Sequence, residues 1–379
     1  MRNVLFLADP NSIHDRKWIS YFQEVNYARC FVLPRHHQYL IYRQAGFGTN
    51  EPFEILSPIR DFSVSRFPGT VREASRIRRI VRDKHIDVIH ILYAEPNALW
   101  CLFRDYFGVP MIVSARGTDV LKTIPQAFRR RDPLNRLVAF IYGRAFRKAD
   151  WVTGTSRAQL ASVSSFSGRS HGMSVVRTGI DKKLVDGDTS AFFPLNSDRP
   201  FILFPRMMRP LYNHTFTLEA IALLPDSVKR SHSMVFLGRE GGDEEYKREI
   251  LSLMEAQSDV VFIFLESQSQ ESLYELYKRA GVVVMTPVSD GSPVSGMEAL
   301  LCGARLILGP LNYDSEVFSR AIRMKEWDPA ELASLIVRAL DDRITPKLSA
   351  DEVDAMDRES NMKRMLGIYQ SLTESKVST

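Results

Sequence analysis

Two acidic residues, Asp290 and Glu298, stand within a short stretch that joins a polar loop to an apolar helix. The stretch reads TPVSDGSPVSGMEALLCGARLIL and covers residues 286–308. Glu298 falls among Met, Ala and Leu residues, so we expect its carboxylate to be buried, which is costly without a hydrogen-bond donor. Hydroxyl groups of a sugar or a ribose would supply donors, and so would a structural arginine. Gly291 and Gly296 lack side chains and are expected to leave room for a ligand.

The segment between the two acids has the pattern of a helix start. Ser292 is a favourable N-cap and Pro293 suits the first helical position, which predicts a helix over 293–302. The backbone amides of Val294 and Ser295 then have no intrahelical partner and are suited to an anion such as a phosphate. An ordinary helix start has the same residues and needs no ligand, so this pattern alone does not decide between the two interpretations.

Charged side chains also follow other predicted strands. Arg206 ends the apolar run FILFPR, and Arg209 follows it in PRMMRPLYN. The fork of an arginine binds two oxygens of a diphosphate and keeps its charge, although a surface salt bridge would explain the same residues. In the first half of the chain, Arg116 and Asp119 follow the run MIVSA. His14 follows the first strand in LADPNSIHDRKW, where it is either a site residue or an ordinary solvent-facing histidine.

Short apolar runs that alternate with amphipathic stretches must position these residues. The predicted strands cover 3–8, 29–34, 87–92, 111–117, 151–156, 173–179, 201–206, 233–238, 260–266, 282–287 and 304–309. The predicted helices cover 70–84, 95–107, 134–149, 214–224, 243–257, 270–280, 293–302 and 329–341. This alternation predicts right-handed βαβ crossovers and mostly parallel sheets, which bind ligands at the carboxyl ends of their strands.

The length of 379 residues predicts two domains, and a polar, proline-containing segment at 186–200 separates the two series of strands. We therefore expect two doubly wound α/β domains, an N-terminal one over 1–190 and a C-terminal one over 191–348. A helical segment over 349–379 follows and could pack on either domain.

The composition is that of an ordinary soluble protein, with 45% hydrophobic and 25% charged residues. Its three scattered cysteines have no metal-ligand spacing, which favours a reducing compartment. The first apolar run is too short for a signal peptide, and no run approaches the ~20 apolar residues that span a bilayer. We therefore expect a cytoplasmic protein.

The net charge is +5, and much of the basic excess lies at 71–84 and 128–148. Such segments attract nucleic acid, anionic lipid or a phosphorylated substrate, and a solvated helix face is the alternative. The sequence has neither a basic patch interleaved with aromatic residues nor a helix-turn-helix pattern, so no nucleic-acid partner is expected. The closely spaced Arg76, Arg78 and Arg79 predict a peripheral contact with the membrane.

These segments together resemble the family-4 glycosyltransferases of the GT-B fold over nearly the whole chain. The family's most specific signature is an acid, seven residues and a Glu, which Asp290 and Glu298 match with aspartate in place of the commoner first Glu. Further similar segments are LFPRMMRPLYNHTFTLEAIALLP, ADWVTGTS, RGTDVL and NSIHDRKW. The resemblance implies two Rossmann-like domains that face each other across a cleft, with the nucleotide-sugar donor bound by the C-terminal domain.

The resemblance also implies a role for each candidate on the donor side. Glu298 would hold the donor ribose, Asp290 the sugar hydroxyls and Arg206 the pyrophosphate. The amides of Val294 and Ser295 would help to hold the phosphates.

The candidates in the first half of the chain are assigned in the same way. Arg116 would join the catalytic set in the segment that faces the donor sugar, while His14 and Asp119 would lie on the acceptor side. Two positions depart from the family's pattern. Arg116 stands where a histidine is common, and no lysine follows Arg206 closely, so Arg209 must substitute or the charge is missing.

The implied activity is retaining transfer of a hexosyl group from a nucleotide-diphosphate sugar to a glycan or a lipid-linked saccharide, as in cell-surface polysaccharide biosynthesis. Neither a metal ion nor a cofactor besides the donor substrate is expected. A nucleotide-sugar epimerase of the same architecture is one alternative. A non-catalytic, nucleotide-binding partner subunit is another, suggested by the missing lysine. A periplasmic-type binding protein would leave the spacing of the two acids unexplained.

Overall fold

The computed structural model of the chain describes residues 1–45, 51–129, 133–238, 243–290, 292–342 and 347–374. The chain divides into two units. Unit 1 consists of Met1–Thr178 and Glu359–Thr379, and unit 2 consists of Gly179–Arg358. Within the described ranges, no helix combines the length and the apolarity that crossing a membrane demands.

Thirteen strands are formed by the described residues, seven in unit 1 and six in unit 2. Those of unit 1 are β1 (Arg2–Leu7), β2 (Ala28–Val32), β3 (Glu54–Ile55), β4 (Val88–Ile91), β5 (Met111–Ala115), β6 (Trp151–Gly154) and β7 (Met173–Val175). Those of unit 2 are β8 (Phe201–Phe204), β9 (Ser233–Leu237), β10 (Val261–Leu265), β11 (Val282–Met285), β12 (Leu306–Leu308) and β13 (Ile322–Arg323).

The helices connect successive strands and cover both faces of each sheet. In the first half of the chain they are α1 (Ile13–Glu24), α2 (His36–Gln44), α3 (Phe67–Asp83), α4 (Arg104–Phe107), α5 (Ile124–Arg129), α6 (Pro133–Lys148) and α7 (Arg157–Ser167). In the second half they are α8 (Lys182–Asp186), α9 (His214–Ala222), α10 (Asp226–Ser231), α11 (Glu244–Glu255), α12 (Gln270–Arg279), α13 (Val294–Leu301), α14 (Ser315–Phe318), α15 (Pro329–Asp341), α16 (Ala350–Met356) and α17 (Arg358–Glu374).

Both sheets are parallel and doubly wound. Their strand orders are β3-β2-β1-β4-β5-β6-β7 and β10-β9-β8-β11-β12-β13. In each sheet the order reverses next to the first strand, between β1 and β4 in unit 1 and between β8 and β11 in unit 2. Such a reversal opens a crevice outside the carboxyl ends of the strands, where ligands bind in doubly wound folds.

The strands read as continuous apolar runs because helices cover them on both sides. Every residue of β8 is buried, with exposures of 0–4%, and β11 is buried to the same degree. In unit 2 one core lies between the sheet and α9, α11 and α15, and the other lies between the sheet and α12, α13 and α14. Each face of this sheet therefore has its own hydrophobic core and its own set of helices.

All eleven predicted strands are present, and within the described ranges the prediction missed only the two-residue strands β3 and β13. Two residues are too few to show a periodic pattern. The final segment, predicted as helical over 349–379, forms two helices, α16 and α17, on either side of Asp357. Asp357 has extended backbone angles and forms a parallel bridge with Ile180.

The last helix, α17, completes the core of unit 1. Tyr369 on this helix is 0% exposed, and its hydroxyl lies 2.6 Å from Nδ1 of His90 on β4. The other ring nitrogen of His90 lies 2.7 Å from the Ser114 hydroxyl, which lies 2.6 Å from that of Thr153. Burial, and then the charge of Arg116, hold the pKa of His90 well below its usual range, so the ring is neutral and joins the two hydroxyl groups.

Unit 2 begins at Gly179, before the polar segment 186–200 in which the sequence predicted the domain boundary. The N–H of Ile180 donates to the carbonyl oxygen of Met356 at 2.8 Å. Farther along, the Thr189 hydroxyl donates to the buried carboxylate of Glu275 at 2.6 Å. These contacts join the segment to α12 and α16, so it belongs to unit 2 although its composition is that of a linker.

Gly179 is expected to tolerate no side chain. Its φ is +71°, and a Cβ there would lie 2.3 Å from Cα of Arg358 and 2.6 Å from the nitrogen of that residue. Gly179→Ala should lower the free energy of unfolding by more than the ~1–2 kcal/mol that the left-handed conformation alone costs. Gly168→Ala is the matched control, because φ is +72° there and a Cβ would meet nothing within 4 Å. Equal losses in urea-induced unfolding of the two variants would contradict the clash.

Candidate functional site

The donor-side candidates of unit 2 meet where the strand order reverses. Arg206 follows β8 and Asp290 follows β11, which are the two strands that flank the reversal. Nη1 of Arg206 donates to the Ser295 hydroxyl at 2.6 Å, and Nη2 lies 3.6 Å from Oδ2 of Asp290. The side chains of Arg206 and Asp290 are 21% and 20% exposed, so both can reach a ligand.

Two aromatic residues hold Arg206 in place. Its guanidinium carbon lies 4.1 Å from the ring centre of Tyr212, a cation–π contact. Nε2 of His214 lies 3.0 Å from the carbonyl oxygen of Arg206. Burial lowers the pKa of His214 to about 4, so its ring is neutral near pH 7, and Nε2 donates to this carbonyl, which can only accept. Sequence reasoning did not single out His214, because it reads as an ordinary residue at a helix start.

Tyr212 occupies the region in which a lysine was expected. Residues Pro210–Tyr212 form a 3-10 turn, and Arg209 is exposed at its N-terminal boundary in extended conformation. Tyr212 therefore offers an aromatic face to Arg206 in place of a second charge. That Arg209 supplies the charge of the missing lysine stays a prediction.

Helix α13 begins one residue later than predicted. Pro293 is its N-cap, and the carbonyl oxygen of Pro293 accepts the N–H of Gly296 at 3.1 Å. The Ser292 hydroxyl does not cap the helix; it is buried and has no hydrogen-bond partner within the described residues. The amides of Val294 and Ser295 precede the first intrahelical bond, at the same helix end that Arg206 approaches through the Ser295 hydroxyl.

Gly296 faces the protein core, so the expectation that it leaves room for a ligand is wrong. A Cβ at this position would lie 3.0 Å from Cε1 of Phe318 and 3.2 Å from Cγ of Pro293. The glycine lets α13 pack closely against its neighbours. Gly291 lies outside the described residues.

Glu298 lies in the middle of α13 and is 7% exposed. Its Oε1 accepts a hydrogen bond from Nε2 of Gln270, the first residue of α12, at 2.8 Å. Burial, and then the negative charge of Glu298, raise the pKa of Tyr274 and of Tyr277 on the same helix. The buried carboxylate therefore lies next to an amide and two neutral phenols, one helical turn from Ser295.

Arg116 lies at the carboxyl end of β5 in unit 1, with a side chain that is 11% exposed. Its Nε donates to the carbonyl oxygen of Leu92 at 3.2 Å, and Nη1 donates to the Thr178 hydroxyl at 3.1 Å. The guanidinium carbon lies 4.3 Å from the ring centre of Trp18. Nη2 lies 3.8 Å from Oδ1 of Asp15, which gives the buried charge a counter-ion.

Asp119 is 0% exposed, and its carboxylate is hydrogen-bonded to the surrounding backbone. Its carboxylate accepts the N–H groups of Ala94 at 3.0 Å, of Gly117 at 2.9 Å and of Val120 at 2.9 Å. A further N–H, that of Arg116, lies 3.2 Å from it. This geometry fits a residue that fixes the loop carrying Arg116, and it leaves the side chain no route to an acceptor molecule.

Asp15 is a buried neighbour of Arg116 that sequence reasoning missed, although it stands directly after His14. It is 6% exposed, and its Oδ2 accepts the N–H of Asp9 at 3.0 Å. Burial raises its pKa to about 6, against the opposing effect of Arg116. His14 is an exposed residue, yet desolvation of its ring, and then the charge of Arg116, lower its pKa. Three titratable groups thus cluster at the carboxyl ends of β1 and β5.

Asp15 should make the stability of the protein depend on pH. Its pKa rises from 3.8 to about 6 on folding, so between these values the folded chain binds a proton that the unfolded chain has released. Stability therefore falls as pH rises through this window, by up to about 3 kcal/mol, and levels off above it. Asp15→Asn cannot titrate and should flatten this part of the profile. The free energy of urea unfolding from pH 4 to 7 tests this, and an unchanged slope in Asp15→Asn would contradict the assignment.

The sequence matches two glycosyltransferase families that together span most of the chain. Residues 3–156 match the family described as Glycosyl transferase 4-like. Residues 187–351 match the Glycosyl transferases group 1. Among curated proteins, none matches the sequence.

Solved structures share the fold over the full length of the chain. A glycosyltransferase from Rickettsia africae aligns with a TM-score of 0.73 at 13% identity, covering 98% of both chains. Sucrose-phosphate synthase from Thermosynechococcus elongatus aligns with a TM-score of 0.71 at 15% identity, covering 99% of this chain and 100% of that one. Anabaena HepE, solved in complex with UDP and glucose, aligns with a TM-score of 0.66 at 15% identity over 100% of both chains.

Identities this low show a common fold and nothing finer, but the two family matches concern the sequence itself. The matched segments carry six of the seven strands of the first parallel Rossmann-like sheet and all six strands of the second. The structural neighbours are glycosyltransferases of the GT-B fold. The chain belongs to the group 1 glycosyltransferases of family 4 and has the GT-B fold.

Proposed function

We propose that this glycosyltransferase moves a hexosyl group, with retention of the anomeric configuration, from a nucleoside-diphosphate sugar to a glycan or lipid-linked saccharide in cell-surface polysaccharide biosynthesis. The observation that carries the proposal is the Arg206 guanidinium, which contacts both Asp290 and Ser295 at the strand reversal. HepE, which shares the fold, was solved with UDP and glucose, so a UDP-sugar is the first donor to test.

The diphosphate of the donor would bind Arg206 and the start of α13. The guanidinium and the amides of Val294 and Ser295 direct positive potential to one place, where negative charge develops on the departing diphosphate. The contacts of Arg206 with Tyr212 and Ser295 fix the direction of the guanidinium in advance. Such preorganisation is what makes electrostatic stabilisation effective in catalysis.

The two acids would hold the two sugar rings of the donor. The buried carboxylate of Glu298 would accept hydrogen bonds from the ribose hydroxyls, with Gln270 holding its Oε1. Asp290 would accept bonds from hydroxyls of the transferred sugar. Hydroxyl groups are suitable partners because a buried carboxylate needs donors and a sugar offers several close together.

In unit 1, we assign Arg116 to recognition of the transferred sugar and His14 to the acceptor side. Asp119 and Asp15 would position them. Asp119 fixes the loop that carries Arg116, and Asp15 supplies its counter-ion. The exposure of His14 allows it to contact an acceptor.

We further propose that neither a metal ion nor another cofactor takes part. The departing diphosphate accepts the proton of the acceptor hydroxyl, so no strong protein base is needed. Transfer should persist after dialysis against EDTA. A loss of activity that Mg²⁺ or Mn²⁺ restores would overturn this part of the proposal.

The direct test is a thermal-shift screen of UDP, GDP and ADP and of the corresponding nucleoside-diphosphate hexoses. A ligand that binds only the folded chain stabilises it by about 2.7 kcal/mol at a hundred times its dissociation constant. At least one nucleoside diphosphate should raise the unfolding temperature of the wild type and not that of Glu298→Ala. If none stabilises the wild type, the proposed function is wrong.

Acceptor dependence separates the proposal from its rivals. An epimerase would convert the nucleotide sugar without any acceptor, whereas a transferase releases the nucleoside diphosphate faster when a saccharide acceptor is added. A non-catalytic partner subunit is favoured by one observation, Tyr212 in the region of the expected lysine. That rival predicts binding of a nucleoside diphosphate with no transfer to any acceptor.

We place the protein on the cytoplasmic face of the membrane and propose that α3 contacts anionic lipid. Phe67 and Val71 on this helix are 54% and 41% exposed. Arg78 and Arg82 follow at spacings that continue the same helical face, and both are exposed. Near an anionic surface each arginine contributes about 1 kcal/mol.

Charge removal on α3 should therefore weaken binding to anionic vesicles. The triple change Arg78→Gln, Arg79→Gln and Arg82→Gln should weaken it by about 100-fold, from about 3 kcal/mol. Arg230→Gln, on the surface of unit 2 with a side chain that is 74% exposed, is the matched control. Co-sedimentation that does not depend on the fraction of phosphatidylglycerol would contradict the contact.

A further inference from the structure

Trp327 is an exposed tryptophan on a loop that the protein holds rigidly. It is 41% exposed, between β13 and α15. The N–H groups of Lys325 and Glu326 donate to the carboxylate of Glu331 at 3.0 and 3.2 Å, and Asp328 caps α15. An indole that is partly exposed on an ordered loop offers a large, fixed apolar surface to a ligand.

The ring of Trp327 is fixed as well as its backbone. It makes an edge-to-face contact with Phe216, with ring centres 5.3 Å apart and planes at 88°. A Cβ on Gly309 would lie 2.9 Å from Cη2 of the indole, so the ring rests on a bare stretch of backbone. The indole therefore presents one defined face to solvent.

That face borders a cavity of about 320 Å³. Its lining consists of Asn213, Thr215, Phe216, Glu219, Val288 and Trp327. Within the described residues, the side chains of Asn213, Thr215 and Glu219 have no hydrogen-bond or ion-pair partner. The cavity is open to solvent, and its volume lies at the lower end of the ~300–1,000 Å³ of small-molecule sites.

The lining selects for an uncharged ligand that carries hydroxyl groups. No Lys or Arg is among the described residues around the cavity, and the carboxylate of Glu219 repels phosphates and other anions. A purely apolar ligand would leave the amide and the carboxylate unpaired. A pyranose ring offers both an apolar face and hydroxyl groups. Its C–H face can pack on the indole, while its hydroxyls can donate to Glu219 and pair with Asn213.

The cavity is separate from the candidate donor site although the same connections form both. Asn213 follows Tyr212, and Val288 stands two residues before Asp290. Phe216 and Trp327, however, pack on the face of the sheet covered by α9 and α15, whereas the donor candidates lie at the start of α13 on the opposite face.

We propose that Trp327, Glu219 and Asn213 form a binding site for a neutral saccharide. This goes beyond the proposed function, because binding here needs neither donor nor transfer.

Tryptophan fluorescence can report on this site directly. Of the four tryptophans, Trp18 and Trp100 are buried and Trp151 is half-buried, so acrylamide quenches mainly Trp327. Maltotriose, cellotriose and chitotriose at millimolar concentrations are the probes. At least one should protect the emission from acrylamide and shift it to shorter wavelength. Absence of protection by all three, or stronger protection by uridine, would overturn the proposal.

Saturation-transfer NMR with the protecting trisaccharide then locates the site through variants. Trp327→Ala and Glu219→Gln should each weaken binding at least about tenfold, which corresponds to about 1.4 kcal/mol, and Trp327→Phe should restore part of it. Phe192→Ala, an exposed aromatic of the same unit at 51% exposure, should bind as the wild type does. Unchanged binding by folded Trp327→Ala and Glu219→Gln would refute the site. Glu298→Gln should keep saccharide binding, so failure of the donor site and failure of this one are distinguishable.

Discussion

Replacement of Glu298 by alanine should weaken binding of the nucleoside diphosphate and lower kcat/KM for the donor by about 30- to 150-fold. The reason is the loss of a buried, hydrogen-bonded charge, which costs about 2–3 kcal/mol when its partner groups are left unpaired. Because a ribose is held alike in the ground state and the transition state, the change should appear mainly in KM and in the dissociation constant. Calorimetric titration with UDP, and initial rates with a UDP-sugar, measure both.

Two further variants make this result specific. Glu298→Gln keeps the shape of the side chain but removes its charge, so it should lie between the wild type and Glu298→Ala. Glu244→Ala removes a carboxylate that is 77% exposed on α11 and should leave affinity unchanged. Wild-type affinity in a folded Glu298→Ala would show that the buried carboxylate is structural.

Replacement of Arg206 by alanine should have the larger effect on turnover, a fall in kcat of about 10²- to 10³-fold. The guanidinium contributes where charge develops on the leaving diphosphate, so its removal raises the barrier more than it weakens the ground state. Arg206→Lys keeps the charge but not the two-pronged geometry, and should recover only part of the rate. Single-turnover rates of sugar transfer separate this effect on chemistry from product release.

The control for Arg206 is Arg230→Ala, which removes an arginine that is 74% exposed and pairs only loosely, at 3.9 Å, with Asp226. It should transfer sugar at the wild-type rate. If Arg206→Ala loses donor affinity but keeps kcat, the guanidinium binds the substrate without stabilising the transition state. If neither constant changes, Arg206 lies outside the site.

Much of the candidate donor site can be predicted from the sequence, because its residues lie in local helix patterns or directly after apolar strands. Arg206 and Asp290 each follow an apolar run, and parallel strands bring their carboxyl ends to one edge, so their proximity follows from topology. Glu298 could be predicted as buried from its apolar neighbours alone. The strand pattern gave both sheets for the same reason, since continuous apolar runs are typical of parallel strands covered on both faces.

The features that the sequence did not predict depend on contacts between residues that are distant along the chain or on burial in the folded protein. Gly296 looks like an opening for a ligand until Phe318, twenty-two residues later, is seen packed against it. Ser292 has the residue type of a helix cap, but its hydroxyl is buried and Pro293 takes the position. Asp15 looks like one more surface acid on a helix, and only burial beside Arg116 distinguishes it.

The hydrogen bond between Tyr369 and His90 joins residues 279 positions apart. It therefore constrains the order in which the two units can finish folding. During synthesis, domains generally fold as units, with the N-terminal one first. Here all of unit 2 leaves the ribosome before the helix that carries Tyr369. Until then His90 lacks the hydroxyl that its Nδ1 contacts, and the core that α17 shares with α1 on one side of the first sheet stays incomplete. The unit that starts first on the ribosome is therefore the one that finishes last.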